Sequence, residues 1–129
     1  MSNLQCVVVT PERTELDVPA ESITVPLFDG ELGILKGHSP VVGRLGLGLL
    51  RIKQGGTSQN YFVEGGFVQV ANNVVSVLTD KVTKAEQLTS AIAAQAMQDA
   101  LALPGGQPEL KIARDKAIDR ARALARVTA

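Results

Sequence analysis

The hydropathy period of this 129-residue chain changes once, near residue 82, and that change limits the fold more than any single motif. Upstream, short β-branched and apolar runs are separated by turn-forming residues: Leu4 to Val9 before Pro11, Ser22 to Phe28 before Asp29-Gly30, Leu49 to Lys53 before Gly55-Gly56, and Tyr61 to Glu64 before Gly65-Gly66. Closely set strands with such breakers predict a sandwich or flattened barrel. Ten of the twelve glycines and all four aromatics (Phe28, Tyr61, Phe62, Phe67) lie between residues 28 and 67, so both the turns and the bulkiest side chains belong to this half. The clearest hairpin joins Phe67-Val68-Gln69-Val70 through Asn72-Asn73 to Val74-Val75-Ser76-Val77-Leu78, because asparagine tolerates the positive φ of tight turns. Val68 and Val70 flanking Gln69 predict one wet face.

Downstream the pattern is helical and alanine-rich. Thr83-Lys84-Ala85-Glu86 reads as a capping box, which predicts a helix starting there with an apolar ladder of Leu88, Ile92, Ala96 and Leu103. Pro104-Gly105-Gly106-Gln107-Pro108 must end it. A second helix is expected from about Glu109, with Leu110, Ala113, Ala117, Ala121 and Leu124 along one seam. Two helices of about 18 residues, each roughly 27 Å long, form an antiparallel hairpin across the break. The expected class is therefore α+β: an all-β sandwich or flattened barrel over residues 1–82, then a two-helix hairpin over residues 83–129.

Composition excludes several function classes. Thirteen basic and thirteen acidic side chains cancel, so no nucleic-acid partner is expected, and no run approaches a membrane span. The N-terminus lacks a signal-peptide pattern. Cys6, the sole cysteine, sits in an apolar run and reads as a buried structural thiol; His38 is the sole histidine. A metal cage or a nucleophile–histidine–carboxylate set is not expected from so few ligating groups. Gly46-Leu47-Gly48 opens like a dinucleotide fingerprint, but Arg51 stands where the third glycine belongs. Asp29 and Glu31 read as a solvated rim rather than an acid–base pair. No enzymatic constellation and no cofactor site emerge.

The segment Gly30-Glu31-Leu32-Gly33-Ile34-Leu35-Lys36-Gly37-His38-Ser39-Pro40 concentrates backbone freedom and is expected to form a rigid ridge. In that reading Leu32, Ile34 and Leu35 anchor the ridge, and Glu31 and His38 are its polar heads. Together with Leu50-Arg51-Ile52 and Gly65-Gly66-Phe67-Val68, it resembles the ε subunit of F-type ATP synthases, called δ in mitochondria, over about residues 3 to 82. The resemblance implies a non-catalytic rotor subunit. Its β-sandwich binds the central γ shaft and the membrane rotor ring, and its helical hairpin lies folded or extends toward the catalytic subunits. It further implies a peripheral protein on the cytoplasmic face of the cell membrane, held there only through the complex, coupling proton-driven rotation to ATP synthesis.

Carried over residue by residue, the resemblance implies a ring and shaft interface at Gly30, Glu31, Leu32, Gly33 and His38, with Glu31 facing a basic loop. His38 has an equally good reading as a hydrogen bond inside its own loop. In the hairpin, Arg120, Arg122 and Arg126 are the expected contacts to catalytic subunits. Some bacterial members bind ATP through Ile/Leu-Asp-x-x-Arg-Ala on the first helix. Here that register reads Leu88-Thr89-Ser90-Ala91-Ile92-Ala93, so ATP binding by this chain is not expected. The string Ile118-Asp119-Arg120-Ala121-Arg122-Ala123 fits the pattern on the second helix, where it reads as coincidence, with Asp119 and Arg122 as an intrahelical ion pair. The competing reading is a free-standing β-sandwich binding module with a helical dimerisation hairpin.

Overall fold

The computed structural model describes residues 3–129, which separate into two compact units, the chain up to Ala85 and Glu86–Ala129. The first unit holds eight strands: β1 (Leu4–Val9), β2 (Thr14–Ala20), β3 (Ser22–Leu27), β4 (Gly30–Leu35), β5 (Val41–Gln54), β6 (Thr57–Ala71), β7 (Val74–Leu78) and β8 (Val82–Lys84). They hydrogen-bond in the order β2-β1-β7-β6-β5-β3-β4, with β8 added on β6. Every pairing is antiparallel except that of β1 with β7, which is parallel.

The two longest strands build both layers. The first half of β5 pairs with the second half of β6, which carries β7; the second half of β5 carries β3, and the first half of β6 carries β8. Where they pass from one layer to the other, the side-chain alternation slips by one residue. In β5 the buried positions change from Leu45 to Leu50 and Ile52, and in β6 from Tyr61 and Val63 to Val68 and Val70. An odd step of this kind swaps the faces of a strand. Gly46 and Gly48 stand at the slip in β5 and Gly65-Gly66 at the slip in β6, so this glycine pair bends one strand rather than ending it, contrary to the break expected there. Gly55-Gly56, by contrast, is a true hairpin turn, with φ of 59° and 81°. Asn72 and Asn73, at φ 52° and 64°, form the expected β6–β7 turn.

One core fills the sandwich, drawn from alternate residues of most of its strands, including Leu4, Cys6, Val8, Ile23, Val25, Ile34, Val75 and Val77. Val68 and Val70 point into it and Gln69 points to solvent, as the alternation predicts.

The second unit differs from expectation at its start. Thr83 does not cap a helix: it lies in β8, paired with Phe62, and a 3-10 turn over Ala85–Gln87 follows. The cap is Thr89, whose Oγ1 accepts the Ile92 amide at 3.2 Å. Pairing β-branched Val82 and Thr83 against the Phe62–Val63 stretch outweighs a local capping box, since tertiary context overrides weak propensity. Helix α1 is therefore Ser90–Leu101, 12 residues rather than about 18, and both Leu88 and Leu103 fall outside it. Helix α2 runs Pro108–Thr128, with Pro108 in the first turn where its missing N–H costs nothing. Along its seam Ala121 and Leu124 are buried, but Leu110 and Ala113 are exposed.

Candidate functional site

The segment expected to form a ridge is mostly a strand. Gly30–Leu35 is β4, a sheet edge hydrogen-bonded on one side to β3 through the register Leu27↔Gly30 to Ser22↔Leu35. Leu32 and Ile34 point inward, while Glu31 and Gly33 face solvent. Leu35 anchors nothing, being 64% exposed, because strand alternation turns it to the same side as Glu31 and Gly33. A strand advances about 3.3 Å per residue, so Glu31 and Leu35 sit about 13 Å apart at opposite ends of β4. His38 belongs to the Leu35 end, its amide bonding the Leu35 carbonyl at 3.0 Å. Gly30, Glu31, Leu32 and Gly33 therefore lie together beside the β3–β4 turn, and His38 lies apart from them.

The His38 turn is held from two sides. Its Nδ1 donates to the Ser39 carbonyl at 2.7 Å, leaving Nε2 as the uncommitted ring nitrogen. The Gly37 amide donates to Asn73 Oδ1 at 2.7 Å, tying this turn to the β6–β7 hairpin. Gly37 itself has φ of 85°.

A second surface was not anticipated from the residues. On the outer face, Arg44 of β5, Phe67 of β6 and Leu78 of β7 stand in direct cross-strand register, and Leu78 is opposite Val9 of β1. Phe67 is 58% and Leu78 50% exposed. Arg44 lies over the ring of Phe28, 5.6 Å from its centroid, and Phe28 is itself exposed. Val9, Thr10, Pro11, Thr79 and Asp80 continue this strip as a shallow groove. Its polar wall is tied down: Thr79 Oγ1 accepts the Glu64 amide and donates to the Lys81 carbonyl, both at 3.3 Å. A contiguous apolar row on the outside of a sheet marks an interaction surface rather than a solvated face. The signal was present in the adjacent apolar pairs Phe67-Val68 and Val77-Leu78, since neighbours on a strand cannot both point inward.

In the helical unit, the three arginines do not share one face. Two residues of α-helix turn through about 200°, so Arg120 lies opposite Arg122, whereas Arg122 and Arg126 are one turn apart. Arg120 is half-buried along a groove lined by Ile92, Gln95, Ala96, Asp99, Leu103 and Ala117; Arg122 and Arg126 are exposed. Among the described residues Asp119 and Arg122 form no ion pair with each other, whereas Lys111 pairs with Asp115 on this helix at 3.3 Å. In the register of the nucleotide motif, Thr89 is committed to its cap and Ile92 projects apolar surface.

Cys6 is fully buried. Burial, reinforced by the charge of Asp17, pushes its thiol up to about 12 from 9.0. Among the described residues no group of three or more His, Cys, Asp or Glu side chains could hold a metal, and no helix is long and apolar enough to cross a membrane.

Comparison with known proteins agrees with this architecture. Residues 3–85 match the family described as ATP synthase, Delta/Epsilon chain, beta-sandwich domain. An ATP synthase epsilon chain from Rhodopirellula baltica is 44% identical over 126 residues, covering 98% of both chains. Among solved structures, a chain of the Euglena gracilis mitochondrial ATP synthase, in its OSCP/F1/c-ring portion, superposes with a TM-score of 0.85 at 25% identity, over 96% of this chain and 80% of that one. A chain from the Tetrahymena thermophila mitochondrial ATP synthase central stalk and c-ring shares the fold, with a TM-score of 0.76 at 17% identity, over 99% and 98% of the two chains. With the domain matched in sequence and a relative aligned nearly end to end, the chain belongs to the ATP synthase delta/epsilon family.

Proposed function

We propose that this chain is a non-catalytic rotor element of the central stalk, coupling proton-driven rotation of the membrane ring to ATP synthesis. The observation that carries this reading is the outer strip in which Arg44, Phe67 and Leu78 stand in register, with exposed Phe28 under the Arg44 guanidinium. Such a strip fits a long shaft lying across the strands. Its aromatic and arginine content is that of an interface core. In this reading Glu31, exposed beside the β3–β4 turn, meets a basic loop of the ring, and the helical unit restrains ATP hydrolysis by reaching the catalytic subunits. The chain itself neither turns over nor binds ATP, because the nucleotide register of α1 offers a cap hydroxyl and an isoleucine in place of a carboxylate and a guanidinium. It is peripheral, held at the cytoplasmic face of the membrane by its partners.

Reconstitution of an ATP synthase depleted of this subunit tests the reading. The parent chain is expected to restore coupled proton pumping. Phe67→Asp combined with Leu78→Asp is expected to fold with unchanged circular dichroism yet fail to rebind, since two charges placed in the strip must be desolvated on docking. Full rebinding by that double variant would exclude the strip as the shaft contact.

A further inference from the structure

We propose that Asn73 is a positioning residue, whose side-chain oxygen fixes the Lys36–His38 turn for docking; this rests on the rotor reading above together with the expected place of His38 at the ring and shaft interface. Three chain segments meet at Asn73. Its backbone carbonyl accepts the Gln5 amide at 2.8 Å, its Oδ1 accepts the Gly37 amide at 2.7 Å, and its own backbone closes the β6–β7 hairpin. The bond to Gly37 joins residues 36 apart in sequence, and it is the only side-chain bond given to that turn from outside residues 35–39 among the described residues.

The identity of the residue is the informative point. Tight hairpin turns with two positive φ angles favour asparagine followed by glycine, because glycine takes the second position without strain. Here the second position is Asn73, at φ 64°. A side chain is kept where none is needed for the turn, and it is spent on Gly37. Gly37 is itself at φ 85°, with open space where a side chain would stand, so no packing at that position holds its backbone. The Asn73 amide supplies that restraint. Lys36 and His38 flank the restrained amide, and with His38 Nδ1 committed to Ser39, the ring presents Nε2 in a fixed direction.

Because glycine relieves the turn, Asn73→Gly separates positioning from folding. In the full-length chain, Asn73→Gly is expected to keep or raise the melting temperature, while exchange of the Gly37 amide proton accelerates about tenfold. Rebinding to the depleted complex should weaken by about tenfold, the scale of one lost hydrogen bond. Asn73→Asp retains an acceptor and is expected to restore amide protection and rebinding, and Asn72→Gly should change neither. Parent-like rebinding by Asn73→Gly, or an equal loss in Asn73→Asp, overturns the proposal. Failure of the parent chain to rebind would instead count against the rotor reading and remove the docking role with it.

Discussion

A Cβ added to Gly66 would collide with the carbonyl oxygen of Leu78 on the neighbouring strand. Gly66 also sits at φ 110°, at the point where β6 passes from one layer of the sandwich to the other. Both facts arise from the same slip in alternation, which lets Val63 and Val68 point into one core from a single strand.

Gly66→Ala is therefore expected to destabilise the sandwich by more than about 3 kcal/mol, combining backbone strain with a backbone collision that no rotamer change can relieve. Gly65→Ala makes the control. Gly65 has φ of 75° but open space around it, so strain alone acts and the cost should be about 1–2 kcal/mol. Urea unfolding of the two variants checks the difference. Equal midpoints would show that the Leu78 contact is relieved by movement of β7.

The strands and turns were largely legible because their signals are local. Asn72-Asn73 and Gly55-Gly56 specify tight turns by the φ values they accept, and the alternation through Val68, Gln69 and Val70 gives its face directly. The misread elements depend on partners distant in sequence. Thr83 has the composition of a helix cap, yet Phe62 and its neighbours recruit it into a strand. Gly65-Gly66 looks like a terminator but bends a strand that continues, because β5 and β7 hold it on both sides. The glycine content of Gly30–His38 marks the segment as unusual, but edge pairing to β3 converts most of it into β4 and separates Glu31 from His38. The strip of Arg44, Phe67 and Leu78 went unseen because cross-strand register, which aligns three residues far apart in the chain, is a property of the sheet.

Cys6 gives a pH prediction. Its thiol is neutral below 9.0 in the unfolded chain and stays neutral up to about 12 in the fold, so between these values the unfolded state loses its proton first. The unfolded state then binds fewer protons, and stability falls as pH rises, by about 1.4 kcal/mol per pH unit from this group alone. Below pH 9 the contribution is complete and flat. Comparing denaturant unfolding of the parent with Cys6→Ala from pH 8 to pH 11 isolates the effect, because the two chains differ in no other ionisable group. The alanine variant is expected to be less stable near pH 8, through lost packing, and to close the gap as pH rises. A constant gap would show that the thiol ionises normally in the fold.

Glu31→Lys tests the expected ring contact. Glu31 is exposed on an edge strand, so the substitution should leave unfolding within about 0.5 kcal/mol of the parent. In reconstituted vesicles it should lower proton pumping per ATP hydrolysed, because reversing the charge at an interface with a basic loop turns attraction into repulsion. Unchanged pumping and synthesis would leave Glu31 as a solvated residue beside a turn.

The helical unit makes the last prediction. Residues 109–129 carry Lys111, Arg114, Lys116, Arg120, Arg122 and Arg126 against Glu109, Asp115 and Asp119, so α2 is net basic, and Arg122 and Arg126 share an exposed face. On the proposed role, these two dock on acidic loops of the catalytic subunits and oppose rotation in the hydrolytic direction. Ending the chain after Ala85 preserves β8 and its pairing to Tyr61, Phe62 and Val63, whereas ending it at Thr79 removes that strand. The first truncation should assemble normally and raise ATP hydrolysis; the second should lower the melting temperature of the sandwich. Arg122→Ala with Arg126→Ala should give part of the same rise, and Arg120→Ala less, since Arg120 lines the hairpin groove instead of the exposed face. Exposed charge pairs are screened over about 8–10 Å at physiological ionic strength, so the difference between full-length and truncated complexes should shrink as salt increases. Equal hydrolysis by full-length and truncated complexes at every salt concentration would leave the hairpin without a regulatory role, because no docking by Arg122 and Arg126 could then be slowing the motor.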